Sequence, residues 1–231
     1  MSNFAFIFAR GGSKGLPRKN VRRLAGKPLI QYSIETAQSV ESIEKVFVST
    51  EDSEIAEIAR NAGAIVIDRP AELASDTSPE WLSWQHAIEW ATERFGKFEQ
   101  FISLPATSPL RSVGDVELAI EKQTSKESDI CISITPASRS PFFNMVKVYD
   151  NGLVGLVNKP EKGVARRQDA PTVYDITTVV YVASTSFILN HSSIFEGKVT
   201  AVEVPKERAI DIDDIFDFKL AEIIVEEGIS G

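Results

Sequence analysis

Two groups of residues in this 231-residue chain have types and spacing suited to chemistry. The first is the run Ala9-Arg10-Gly11-Gly12-Ser13-Lys14-Gly15-Leu16-Pro17-Arg18-Lys19-Asn20. Its glycines let backbone N–H groups approach an anion closely, while Arg10, Lys14 and Lys19 supply charge that can neutralise phosphate as it leaves. A polyphosphate is the natural guest. The run is not a Walker loop, since it contains no Gly-Lys pair and the nearest one, Gly26-Lys27, precedes proline, and it lacks dinucleotide-binding glycine spacing. The second group is Asp211-Ile212-Asp213: in extended backbone both carboxylates face one side and can share a hard cation such as Mg²⁺, or its waters. The bland alternative is that Asp211, Asp213 and Asp214 cap the last helix.

Other nucleophile and metal chemistries find little support. His86 falls in a tryptophan-bearing helical stretch and His191 in a polar turn, which argues against a zinc cluster or a Ser-His-Asp triad. The single cysteine, Cys131, lies within Asp129-Ile130-Cys131-Ile132-Ser133-Ile134, where a small buried hydrophobe is expected. The formal net charge of −8 argues against a general nucleic-acid binder. Yet residues 1–34 hold seven basic residues and no acid, a concentration suited to a dedicated anion site. A solvated basic face, or nucleic-acid binding by the Arg18–Arg23 run, is the competing reading.

The elements that must position these residues follow from the apolar pattern. Asn3 to Ala9 reads as a buried strand feeding the glycine-rich loop, Leu29 to Val40 as a helix, and Lys45 to Thr50 as a second strand. Thr50 is placed to cap a helix through about Ala62, Ala64 to Asp68 is a strand, and Ser78-Pro79 opens a helix through about Arg94. In that helix Trp81 and Trp84 have the spacing of a buried face. Strand, helix and strand then recur at Gln100 to Leu104, Val113 to Gln123 and Asp129 to Thr135, which predicts a mostly parallel sheet with helices on both faces. The rhythm breaks at Met145–Tyr149 and Leu153–Val157, which flank the hairpin signal Asp150-Asn151-Gly152. Val179–Ala183 and Val199–Val204 return to strand patterning and Asp214–Glu227 closes with a helix. The expectation is one domain over 1–231 with an antiparallel arm inserted at about 138–176. With apolar runs broken within about eight residues and no charged leader, a cytoplasmic protein without membrane attachment is expected.

The whole run from Ala9 to Asn20 resembles the signature of the cytidylyltransferases that activate sialic acids and related nonulosonic acids. The resemblance continues through Val48-Ser49-Thr50, Arg69-Pro70-Ala71-Glu72-Leu73-Ala74-Ser75-Asp76, Thr107-Ser108-Pro109-Leu110-Arg111 and Asp211-Ile212-Asp213, so it spans nearly the full chain. It implies a Rossmann-like nucleotide-sugar transferase fold with a dimerisation arm. It also implies a Mg²⁺-dependent reaction in which the anomeric oxygen of a 2-keto sugar acid attacks the α-phosphorus of CTP and pyrophosphate leaves. Matching positions imply Arg10 and Lys14 on the phosphates, Lys19 on the leaving pyrophosphate, and Asp211 with Asp213 on the metal. Ala9, Gly11, Gly12, Ser13, Asn20, Arg69 and Asp76 complete the nucleotide site, with Asn20 and Arg69 around cytidine. Arg166, Arg167, Gln168, Tyr174 and Asp175 fall where the family contributes sugar-binding groups, and the arm implies that Arg166 or Arg167 serves the neighbouring subunit of a homodimer.

Departures from the pattern bear on the sugar. Sialic acid enzymes often have Gln-Pro before Thr107, where this chain has Pro105-Ala106, and they carry an arginine and Asn-Gly where it has Asp175 and Thr177-Thr178. A lost amide and a reversed charge in a polar pocket change recognition by several kcal/mol. Bacterial enzymes for legionaminic acid or another nonulosonate are closer, sharing the Pro141-Phe142-Phe143-Asn144 style of segment and the Tyr174-Asp175 pair. The alternatives are a 3-deoxyoctulosonate enzyme, whose relatives have a different first loop, and a nucleotide-binding regulator that lost the chemistry.

Overall fold

Alternation along the first strand divides the interior into two cores. In a computed structural model, which describes residues 2–159 and 166–228, β1 (Asn3–Phe8) sends Phe4 and Phe6 to one face of a sheet and Ala5 and Ile7 to the other. The arm expectation includes residues 160–165, which lie outside those described. After β1 and the glycine-rich loop come β2 (Arg23–Leu24) and β3 (Lys27–Pro28), a tight antiparallel pair with Gly26 at φ +85°, then α1 (Leu29–Ser39). The alternating series follows: β4 (Ile43–Thr50), α2 (Ser53–Asn61), β5 (Ile65–Asp68), α3 (Glu80–Phe95), β6 (Gln100–Ser103), α4 (Val113–Ser125) and β7 (Ile130–Pro136). The arm hairpin is β8 (Val146–Val148) and β9 (Val154–Leu156), and β10 (Tyr174–Ser184), α5 (Thr185–Asn190), β11 (Val199–Glu203) and α6 (Ile215–Glu227) complete the chain.

Seven strands form the main sheet in the order β11-β7-β10-β6-β1-β4-β5. β1 pairs parallel with β4 and β6, β4 with β5, and β7 with β11. The sheet is thus mostly parallel and flanked by helices, as the alternation predicts. On one face Ile30 and Ile34 of α1, Ile55 of α2 and Val116 of α4 cover Ala5, Ile7 and Val48. On the other, Trp81, Trp84 and Ile88 of α3 join Phe187 and Ile188 of α5 over Phe6, Phe47 and Phe101. The two tryptophans are 8% and 3% exposed, so the core reading of their spacing holds, and Cys131 is fully buried. Among the described residues no helix is long and apolar enough to cross a membrane.

Three local readings change. Asp52, not Thr50, caps α2, its carboxylate accepting from the N–H groups of Glu54 and Ile55 at 3.0 Å; Thr50 instead accepts from the Asp52 N–H. Ser78 does not cap α3, which starts at Glu80 with no side-chain cap. The strand read at Val179–Ala183 begins at Tyr174 and lies antiparallel between β6 and β7, because it returns from the arm against their direction. Its pairing with β7 slips between Thr177 and Tyr181. The Ser133 hydroxyl anchors the slip, donating to Thr177 and Val180 carbonyls and accepting from the Val180 N–H. Such a bulge re-aims side chains, here Thr178.

Candidate active site

The loops after β1, β4, β5 and β6 gather at the carboxyl ends of parallel strands, where open α/β sheets bind ligands. A third apolar cluster explains why the glycine-rich loop meets the distant aspartates. Leu16 from the loop, Leu24, Leu29, Ile212 and Phe218 bury one another, so the hydrophobic residues flanking each polar group bring both together. Gly15 makes the approach possible: a Cβ there would collide with the Asp213 carbonyl oxygen. Gly11 is similarly pressed against the Asp52 carboxylate, and its N–H donates to Glu51 at 2.8 Å, whereas Gly12 has open space.

Arg18 takes the left-handed conformation at φ +58°, uncommon for a residue with a side chain. This turn sends its guanidinium outward to Asp52 and Glu54 and Lys19 inward. Lys19 is 9% exposed; its ammonium donates to the Ile212 carbonyl and lies 3.6 Å from Asp213 Oδ1. Asn20 donates to the Arg10 carbonyl at 3.1 Å, and Ala9 is buried with its N–H on the Ser49 carbonyl. Arg10 and Lys14 share Asp76, at 2.6 and 2.8 Å. Arg10, Ser13, Lys14, Gly15, Lys19, Asn20 and Asp213 line one cavity of about 390 Å³. An adjoining cavity of about 300 Å³ shares Phe8 and Arg10 and adds Arg69, Asp76 and Glu80. The basic segment therefore divides: Arg18, Arg23 and Lys27 hold internal partners, while Arg10, Lys14 and Lys19 face the cavity.

Asp211 is held from several sides. The Ile212 N–H donates to the Thr107 carbonyl at 2.9 Å, the Thr107 and Thr178 hydroxyls hydrogen-bond the Asp211 carboxylate, and Arg208 locks the preceding segment to Asp115 at 3.0 Å. Burial pushes the Asp211 carboxyl above the usual range, and the charge of Asp213 adds to that. Asp214 alone caps α6, accepting from Phe216 and Asp217 N–H groups, so capping does not account for Asp211 or Asp213. Asp211 Oδ1 is buried without a hydrogen-bond partner, an orphaned hard oxygen beside a second carboxylate. That donor set fits Mg²⁺. Among the described residues no cluster of three or more His, Cys, Asp or Glu could hold a metal, so phosphate oxygens and water must complete such a shell.

Four contributors went unassigned in the sequence reading. Glu51 bridges the Gly11 N–H and the Arg69 guanidinium, the latter at 2.7 Å. Arg111 is buried and fans across the Val179, Thr178 and Pro105 carbonyls and the Ser33 hydroxyl; burial pulls it down to about 9, still protonated at neutral pH. Thr178 is set by the β10 bulge, and Glu80 opens α3 at the cavity wall. Glu80 keeps solvent access, yet its carboxyl is hemmed in and raised by burial, with Trp84 and Arg69 opposing. No local sequence pattern marks these roles; Thr178 and Glu80 in particular depend on tertiary placement.

The proposed sugar residues lie apart from these cavities within one chain. Arg167 and Gln168 line a separate cavity of about 390 Å³ with Pro136, Ala137 and Arg139. Arg166 forms a two-pronged pair with Asp169, Arg167 donates to the Ala137 carbonyl, and Tyr174 and Asp175 are exposed beside Pro136 and Thr135. The Pro105 carbonyl is taken by Arg111 and Ser33, a framework role.

The sequence pattern of the family described as Cytidylyltransferase matches residues 4–195. Post-translational flagellin modification protein B of Campylobacter coli is 36% identical over 96% of this chain and 94% of its own length. The CMP-N,N'-diacetyllegionaminic acid synthase of Campylobacter jejuni is also 36% identical, over 95% of this chain and 93% of its own. In fold, the chain is similar to a CMP:2-keto-3-deoxy-manno-octonic acid synthetase solved with CTP, with a TM-score of 0.73 at 17% identity, covering 99% and 100% of the two chains. With the glycine loop, the buried lysine and Asp213 in one cavity and the family pattern running through most of the sequence, the chain belongs to the cytidylyltransferase family.

Proposed function

We propose that the chain transfers CMP from CTP to the anomeric oxygen of a nonulosonic acid, of the legionaminic or sialic type, releasing pyrophosphate. The observation that carries this reading is the packing of Gly15 on Asp213 with Lys19 alongside, which joins an anion-binding loop to a cation-binding carboxylate pair. The reaction is an in-line displacement that needs alignment and charge neutralisation rather than a covalent enzyme intermediate. Arg10 and Lys14 release Asp76 to hold the triphosphate, and Lys19 steadies the leaving pyrophosphate. Asn20 and Arg69 hold cytidine. Asp211 and Asp213 are the groups that would hold Mg²⁺, which when bound supplies further neutralisation of phosphate charge.

The sugar class is supported by the 36% identity to a protein named as a legionaminic acid synthase over nearly the whole of both chains. A second copy completes the reading. The arm carries a run of exposed apolar residues, Val146, Val148, Leu153 and Val154, and its Arg167 and Gln168 face a cavity away from the nucleotide loop. In a homodimer those groups reach the partner's site and bind the sugar carboxylate. The site chemistry needs CTP and free sugar acid, both cytoplasmic solutes.

The test is pyrophosphate release from CTP and Mg²⁺ against N-acetylneuraminate, deaminoneuraminate, legionaminate, pseudaminate and 3-deoxyoctulosonate, with product mass identifying the sugar nucleotide. Preference for one nine-carbon acid establishes the reading. Turnover confined to 3-deoxyoctulosonate shifts the substrate class, and silence from folded, CTP-binding protein supports a regulator.

A further inference from the structure

We propose that Glu80 reads the 4-amino group of cytosine and so makes this chain select CTP over UTP. The inference rests on the cytidylyltransferase reading and adds to it a base-reading residue.

The cavity of about 300 Å³ has the three components of a nucleobase slot. Phe8, at the end of β1, offers an apolar ring for a base to lie against. Arg69 enters from the end of β5 with its side chain only 6% exposed. One of its terminal nitrogens is committed to Glu51, but its Nε is buried with no hydrogen-bond partner. A buried guanidinium N–H left open beside a cavity marks the place of a missing acceptor. Glu80 lines the same cavity, near enough to Arg69 for the guanidinium charge to act on its carboxyl. The slot therefore pairs a fixed donor with an acceptor.

That order matches the edge of cytosine. The base presents O2 and N3 as acceptors and the exocyclic amine as a donor, and a Glu or Asp oxygen is the natural acceptor for that amine. Uracil presents N3–H as a donor and O4 as an acceptor, so a carboxylate at Glu80 would meet the uracil O4 oxygen with another oxygen. Sites built to hydrogen-bond a ligand group reject analogues lacking it strongly, because their own polar atoms are left unpaired. The adjoining cavity shares Phe8 and Arg10, so a base in this slot leads directly to phosphates on the glycine loop.

The experiment titrates CTP and UTP, each with Mg²⁺ and without sugar, into wild-type protein, Glu80→Gln and Glu80→Asp, with circular dichroism as the folding check. Pyrophosphate release is then measured with the preferred sugar acid. Wild type is expected to favour CTP by about tenfold or more. Glu80→Gln is expected to erase most of that preference, partly by gaining UTP through its amide N–H, while the KM for the sugar stays unchanged; Glu80→Asp should keep an intermediate preference. A folded Glu80→Gln with the wild-type CTP-to-UTP ratio overturns the assignment, as does an effect confined to the sugar KM. Wild type binding both nucleotides equally overturns the base slot alone. Wild type binding neither overturns the cytidylyltransferase reading and the slot with it.

Discussion

The backbone of Gly15 lies directly against the carbonyl of Asp213, with no room for a Cβ between them. This contact sets the distance between the glycine-rich loop and the carboxylate pair proposed to hold Mg²⁺, although 198 positions separate the two residues. Gly15→Ala must push the loop away, and a displacement near 1 Å costs about 100-fold in turnover when alignment carries the catalysis. Gly12→Ala is the control, since open space surrounds that position, and it should keep turnover within about twofold. Equal loss in both variants, measured by pyrophosphate release, would show that the Gly15 approach has no special role.

Arg111 supports the site from below. Its buried guanidinium serves the carbonyls of Pro105, Thr178 and Val179 and the hydroxyl of Ser33, joining the loop after β6 to the bulge that aims Thr178 at Asp211. Arg111→Ala strands these acceptors and is expected to cost about 3–5 kcal/mol, measured by urea unfolding. Arg111→Lys recovers only part, because an ammonium cannot fan across four acceptors. A loss below about 1 kcal/mol in Arg111→Ala would contradict the hub role.

How far the sequence carries can be judged from these same residues. Most of residues 1–135 is legible because apolar alternation and helical spacing are local, so β1, β4, β5, β6 and β7 fall close to their expected places, whereas the two-residue strands β2 and β3 are too short to carry such a pattern. The glycine loop was legible for the same reason: its residue types are contiguous. Arg111 was visible only as part of a motif, because its four partners come from three separate segments. Thr178 was read as a departure bearing on the sugar, yet the β10 bulge directs it to Asp211; no local pattern announces a bulge held by a serine on the neighbouring strand. Asp213 and Asp214 show the limit most clearly. They are adjacent and chemically identical, but one faces Lys19 and the other caps α6.

If Asp211 holds the cation, it does so at a cost to stability. Burial raises its carboxyl, with Asp213 adding and the two threonine hydroxyls and Lys19 opposing. A folded-state pKa above the unfolded value means the folded chain holds the extra proton between the two, so stability falls as pH rises through the folded value. The ionised side chain is therefore a net cost at neutral pH in metal-free protein. Asp211→Asn should raise the thermal midpoint at pH 7.5, with the gain vanishing below about pH 4, where aspartate is protonated in both states. Turnover should fall by about 100-fold or more. A lower midpoint at pH 7.5 would mean the carboxylate stabilises the fold.

Val148 pairs across the arm hairpin with Val154, and both are largely exposed at 72% and 63%. Placing charges there, as in Val148→Asp with Val154→Lys, keeps a cross-strand attraction while removing the apolar surface that a second copy would cover. Sedimentation should report wild type at twice the 25.4 kDa chain mass and the double variant at the chain mass itself. If Arg166 and Arg167 serve the partner's sugar site, the KM for the sugar acid rises about tenfold or more in the variant while CTP binding is retained. A double variant that stays dimeric would remove this face from the interface.

Asp76 pairs with both Arg10 and Lys14, and on the proposed reading triphosphate displaces it. All three side chains are more than one-third exposed, so the pairs are screened and weak, and they hold the cations in place without contributing much to the fold. Asp76→Asn frees both cations. It should tighten CTP binding about twofold to fivefold at low salt, an advantage that fades at 0.5 M salt while the thermal midpoint stays unchanged. Arg10→Ala tests the other side of the exchange: the fold survives but turnover falls about 100-fold. Weaker CTP binding by Asp76→Asn would instead make Asp76 a ligand of the nucleotide or of its cation, and the Arg10 and Lys14 pairs a way of presenting it.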